Sequence, residues 1–139
     1  MAFFREQITV LTQGNRDMTD LTAEVAAIVL RSGVVNGLCN VFHQGSTGAI
    51  GTIEFEPGLA EDLPDILHRL IPQGRNYGHE RRWRDGNGHS HLQASILGPS
   101  VCIPIEDGKL MTGSWQQIFH YEADIKPRTR TIIVTVMGD

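Results

Sequence analysis

Residues 34–55, VVNGLCNVFHQGSTGAIGTIEF, decide the fold class. Val34 to Phe42 and Gly48 to Phe55 each hold enough β-branched and aromatic residues for a strand, while Gly45-Ser46-Thr47-Gly48 between them has the composition of a turn. The spacing predicts two strands joined as a hairpin.

Upstream, Phe3 to Leu11 alternates, with Phe4, Ile8 and Val10 opposed to Arg5, Gln7 and Thr9, the period-two pattern of a half-buried strand. After Gly14-Asn15, residues Met18, Leu21, Val25, Ile28 and Val29 share one helical face, and Gly33 supplies the stop. Downstream, Pro57 opens a second helix carrying Leu59, Leu63, Ile66, Leu67 and Leu70 on one side. Pro64 falls inside that pattern and marks a place where the first turn separates from the rest. Residues 73–88 hold four Gly and four Arg, a composition read as a long surface loop. His91 to Leu97, Val101 to Ile105, Leu110 to Tyr121 and Thr129 to Met137 complete a strand-rich second half. About seven strands and two early helices predict a single α+β domain over residues 1–139, its sheet mostly antiparallel and its helices on one face. Uncovered sheet edges favour a symmetric homo-oligomer.

The charge balance, 12 Lys+Arg against 16 Asp+Glu in 139 residues, opposes general nucleic-acid binding, because releasing counterions from a polyanion requires a field of cations. The longest apolar run, Ala26 to Leu30, is far short of the roughly 20 residues that cross a bilayer, so no membrane helix is expected. Met1 to Glu6 lacks the pattern of a secretory signal, which predicts a cytoplasmic protein. Cys39 and Cys102, in apolar strand-like surroundings, read as two buried free thiols.

Three polar clusters are candidates for chemistry. The first runs through Tyr77-Gly78-His79 to Asp85-Gly86-Asn87-Gly88-His89-Ser90-His91. Two residues apart on a strand, His89 and His91 point the same way, and with His79 they offer a three-His set suited to Zn²⁺ with an open fourth position. His43 joins them if its strand is adjacent. A glycine-rich loop also carries polar residues simply because it is solvated, and that reading stays open.

The second cluster is Gly45-Ser46-Thr47-Gly48, whose successive N–H groups can form an anion nest, followed by Glu54 as a candidate general base on the next strand. No Lys or helix follows as in a Walker loop, so a plain hairpin turn remains the alternative. In the third cluster, Trp115 is expected on one strand face with Phe119 and Tyr121, and Gln116 on the other. Arg128 and Arg130 project together and can grip a carboxylate or phosphate, or form an ordinary surface pair. His68 and His120 are not taken as ligands.

Together, Gly45-Ser46-Thr47-Gly48-Ala49-Ile50 with Glu54, Tyr77-x-His79, Asp85 to Leu92, Leu97-Gly98-Pro99-Ser100, Pro104-Ile105-x-Asp107-Gly108-x-Leu110 and Gly113-x-Trp115-Gln116 resemble the YjbQ-like family over nearly the whole chain. This is an uncharacterised family whose members are often described as secondary thiamine-phosphate synthases. The resemblance implies a small α+β fold, a homotrimer, and a polar site at or near subunit contacts that contains histidines and a Trp-Gln strand. It implies a transferase that joins a hydroxymethylpyrimidine diphosphate to a thiazole phosphate, with Mg²⁺ assisting. In that reading Gly45, Ser46, Thr47, Gly48, Asn87, Trp115, Arg128 and Arg130 contact the phosphorylated small molecule. His79, His89 and His91 hold a metal or move protons, Glu54 is a base or ligand, and Gln116 belongs to the catalytic set. His91 fits the family's Asn-x-x-x-His-Leu pattern, His79 its Tyr-x-His pattern and Glu54 its strand carboxylate. Many members have His-Thr-Thr where this chain reads Gly45-Ser46-Thr47, which leaves His43 or His89 to substitute. A Zn²⁺-dependent hydrolase and a non-enzymatic sensor of a phosphorylated metabolite are the alternatives.

Overall fold

Period-two alternation is realised in the two longest strands, β1 (Ala2–Thr12) and β8 (Arg128–Gly138), which pair antiparallel with Ile8 opposite Ile132. β1 turns Ile8 and Val10 inward, and Ile132, Val134 and Val136 of β8 are fully buried. The computed structural model describes residues 1–74 and 76–139. β3 (Gly37–His43) lies on the other side of β8 and is followed outward by β5 (Ser100–Glu106) and the short β6 (Lys109–Leu110), giving a five-stranded sheet in the order β1-β8-β3-β5-β6. A second sheet holds β2 (Met18–Asp20), β7 (Gln117–Glu122) and β4 (Gly48–Ile53), with β7 in the middle. All of these pairings are antiparallel.

The α+β class and single domain are as expected, but the described residues contain eight strands and four helices instead of about seven and two. β3 and β4 do not form the expected hairpin. Both edges of β3 are taken, by β8 and β5, so β4 has no edge to join and pairs with β7 in the other sheet. The Gly45–Gly48 turn therefore carries the chain between sheets.

α1 (Thr22–Ser32) buries Val25, Ile28 and Val29 in the main core with Ile132 and Ile118, and it ends at Gly33, whose φ of 71° is the left-handed conformation glycine accepts. α2 (Pro57–Leu70) is continuous through Pro64, correcting the expected break. Its start is firmly capped, because the Glu56 carboxylate accepts from the amides of Gly58 and Leu59. Leu67 of α2 meets Phe119 and Tyr121 on the outer face of the small sheet, forming a second core.

The expected loop over 73–88 contains α3 (Gly78–Trp83), and Arg75 of that loop lies outside the described residues. The expected strand from His91 to Leu97 belongs to α4 (Gly88–Leu97). Hydrophobic periodicity could not reveal either helix: α3 buries no residue, and α4 buries Gly88, His89, Ser90, Gln93 and Ala94, a mostly polar face. The long strand expected over Leu110 to Tyr121 is interrupted between β6 and β7 by a turn in which Gln116 Oε1 accepts from the Gly113 amide. Trp115 sits on this turn, 76% exposed, and not beside Phe119 and Tyr121. Cys39 is a buried free thiol, whereas Cys102 is exposed, because β5 turns Ile103 and Ile105 inward and its alternate residues out. Among the described residues no helix is long and apolar enough to cross a membrane.

Candidate functional site

The turn between the sheets is anchored at one residue. Thr47 O accepts from the Ala123 amide at 3.0 Å and from Arg130 Nη2 at 3.1 Å; its hydroxyl accepts from Arg130 Nη2 at 2.8 Å and donates to Asp124 Oδ2 at 3.1 Å. Among the described residues, the amides of Gly45, Ser46 and Thr47 have no acceptor within the protein. Gly45 and Ser46 are exposed. Three consecutive free N–H groups are the raw material of an anion nest.

Beneath the turn run two acid–arginine pairs. Arg130 is buried and forks onto fully buried Glu122, its Nε 2.7 Å from Oε1 and its Nη2 bonded to Oε2; Thr12 donates to the same carboxylate at 2.7 Å. Arg128 reaches Asp124 Oδ2 through Nε at 3.0 Å and Nη2 at 2.6 Å. Burial works to raise the Asp124 carboxyl, but the Ile125 amide, Arg128 and the Thr47 hydroxyl outweigh it and hold it below the ordinary carboxylate range. Arg128 and Arg130 thus project together as the alternation requires, yet each is already paired with a carboxylate, and Arg130 is no surface residue. Glu122 and Asp124 escaped the sequence reading, although the mirrored spacing Glu122-x-Asp124 and Arg128-x-Arg130 across one turn is a signal for such pairing.

The histidines separate into pairs. His79 Nε2 lies 2.9 Å from Asn87 Oδ1 and 2.8 Å from Asp85 Oδ1, and its ring centroid is 4.7 Å from that of His91. Asn87, buried, also reaches toward Asp124 Oδ1 with Nδ2 at 3.5 Å, which ties the histidine pair to the arginine network. His91 lines a cleft of about 230 Å³ with Gly45, Ser46, Gly48, Ser95 and Pro99.

His89 is elsewhere. On a helix, residues two apart differ by about 200°, so His89 and His91 face nearly opposite ways, where a strand would have aligned them. His89 is 1% exposed and its ring centroid is 6.0 Å from that of His68; burial, then His68, pushes its imidazole down. The three-His set does not gather. The donors lying within 4.8 Å of one another among the described residues are His79, Glu80 and Asp85. His43 stacks on His120 below the turn, so His120, left out by the sequence reading, is its buried partner.

The remaining candidates are remote within this chain. Glu54 is exposed just past the far end of β4, and Gln116 donates to Thr52 Oγ1 at 3.2 Å there. Six residues of strand place that end about 20 Å from Gly48. The expected site divides into one group around Gly45 to Gly48, His79, Asn87, His91, Arg128 and Arg130, and another around Glu54, Trp115 and Gln116.

The profile described as UPF0047 protein YjbQ-like matches residues 6–139. The chain belongs to the YjbQ-like UPF0047 family. It is 36% identical to a UPF0047 protein of Methanothermobacter thermautotrophicus over 138 residues, covering 99% of this chain and 94% of that one. A UPF0047 protein of Archaeoglobus fulgidus is 37% identical over 131 residues, covering 94% and 99%. Among solved structures, a YbjQ-like protein of unknown function from Sulfolobus solfataricus superposes with a TM-score of 0.92 at 35% identity, over 99% of this chain and 98% of that one. A hypothetical protein from Aeropyrum pernix K1 superposes with a TM-score of 0.89 at 34% identity, over 97% and 98%.

Proposed function

We propose that the chain binds a phosphorylated small molecule at the Gly45–Gly48 turn and acts on it as an enzyme, with thiamine-phosphate synthesis as the candidate reaction. One observation carries this reading: the amides of Gly45, Ser46 and Thr47 have no acceptor among the described residues, and their segment walls the cleft that His91 lines. Such donors, fixed before the ligand arrives, stabilise charge that develops on a departing diphosphate without further reorganisation. Arg128 and Arg130 hold the turn through Asp124 and Thr47. His91 lines the cleft with His79 next to it, and in this reading the two imidazoles move the protons.

Trp115, Gln116 and Glu54 enter this scheme only from a neighbouring copy. A homotrimer that sets the Trp115–Gln116 turn of one subunit against the His91 cleft of the next reunites the two groups and accounts for both.

A second reading, metal-dependent hydrolysis, is favoured by His79, Glu80 and Asp85, whose mixed nitrogen and oxygen donors fit a divalent ion. Such an ion would supply Lewis acidity beside the same cleft. The readings part on a direct test. Incubation with the pyrimidine diphosphate and thiazole phosphate is expected to yield thiamine phosphate in wild type and not in Gly45→Val. Calorimetry with inorganic pyrophosphate is expected to show binding that Gly45→Val abolishes; equal binding by both proteins overturns the anion reading.

A further inference from the structure

His43 and His120 are buried groups that this scheme leaves unused. Both are fully buried between the sheets, their ring centroids 5.0 Å apart, with His120 Nε2 3.1 Å from His43 Nδ1. That hydrogen bond occupies one nitrogen of each ring, and His43 Nε2 and His120 Nδ1 have no partner among the described residues. A buried polar atom without a partner is destabilising, a cost that an apolar pair at these two positions would avoid. The unpartnered nitrogen of His43 has a definite aim. It lies 2.9 Å from where a Cβ on Gly45 would sit and 2.8 Å from the equivalent point on Gly48, so neither position accepts a side chain while the imidazole is there.

Arg130 converges on the same spot. Its Nε and Nη2 are committed to Glu122 and Thr47, whereas Nη1 makes no bond to the described residues and lies 3.5 Å from the Gly45 Cβ position. Gly45 and Gly48, the two glycines that crowd the His43 ring, also line the His91 cleft. The Gly45–Ser46 segment is held at its ends, by the Gln44 amide on Thr131 O and by Thr47, but its own amides are free, and Gly45 has a φ of 154° that suits glycine.

We infer that His43 is a ligand-contacting residue of the anion site: with the Gly45–Ser46 peptide rotated aside, His43 Nε2–H and Arg130 Nη1 donate together to one oxygen of a bound phosphate or diphosphate. The inference rests on the anion reading above. The inference requires His120 to donate from Nε2 to His43 Nδ1, the tautomer pair that leaves the His43 proton on Nε2. Burial, more than the nearby Arg130 charge, pushes the His43 imidazole down to about 4, so it serves as a neutral donor in ordinary buffers.

The test titrates wild type, His43→Gln and His43→Leu with inorganic pyrophosphate by calorimetry, and follows the wild-type imidazole nitrogens by ¹⁵N-resolved NMR. Expected are a shift of His43 Nε2 at saturation with His68 unmoved, binding by His43→Gln within about threefold of wild type, and a loss of about tenfold in His43→Leu, the scale of one buried hydrogen bond. Wild type that binds pyrophosphate with His43 Nε2 unmoved, or a folded His43→Leu that binds equally, overturns this inference and leaves the anion site standing. If His43→Leu does not fold, the wild-type spectra decide alone. Absence of binding by wild type overturns the anion reading and this inference together.

Discussion

Lowering the pH from 7 to 5 is expected to remove a large share of this protein's stability through two imidazoles. Burial pushes His43 down to about 4 and His120 to about 3, from an ordinary value of 6.5. In the folded protein both therefore stay neutral at pH 5, while in the unfolded chain both bind protons below about 6.5. Their contribution is complete above that value and is lost as pH falls toward 4. At pH 5 the unfolded chain gains about 2 kcal/mol per imidazole, or about 4 kcal/mol for the pair, against a typical total of about 5–15 kcal/mol. His89, also lowered, adds in the same direction. The Asp124 carboxyl titrates below the ordinary carboxylate range, which keeps the interval from 7 to 5 free of it. The assay is urea unfolding at pH 7 and pH 5, in wild type and in His43→Leu/His120→Leu. Replacing both hydrogen-bonded partners by apolar groups avoids stranding either one. The double variant is expected to lose about 4 kcal/mol less than wild type between the two pH values. Equal losses in the two proteins would refute the reasoning.

Glu122→Gln strands the buried Arg130 charge and is expected to cost about 3–5 kcal/mol by denaturant titration, far more than a surface ion pair such as Arg31 with Glu6. A loss below about 1 kcal/mol would show that Thr47 and Thr12 suffice to hold the network. Elemental analysis after zinc loading is expected to show His79→Ala depleted and His89→Ala unchanged, because His79 shares a donor set with Glu80 and Asp85 and His89 does not; depletion in both variants would restore the three-His arrangement. Light scattering at micromolar concentration is expected to report a trimer, and a monomer would remove the route by which Gln116 reaches the cleft. Val134→Ala, emptying a fully buried position on an interior strand of the large sheet, is expected to cost about 2 kcal/mol or more in urea unfolding. A change within 0.5 kcal/mol, about the scatter of surface substitutions, would contradict the assigned core.

Elements set by local pattern were readable from the chain alone. Alternation in Phe3 to Leu11 and Thr129 to Met137 specifies strands because side chains two apart share a face, and the Val25, Ile28 and Val29 stripe specifies α1 because one face must leave water. The family and the α+β class were legible from residue order. Tertiary structure decided the rest. α4 buries histidine, serine and glutamine, a face that no hydrophobic period marks, and the change from strand to helix turned His89 away from His91. β3 and β4 parted because β8 and β5 occupied both edges of β3, a competition between segments far apart in the chain. The same separation put Glu54 and Gln116 at the far end of β4, and it brought His43 to His120 across 77 residues. Partners at that distance are selected by which surfaces can be buried together, and neighbouring residues carry no record of that choice.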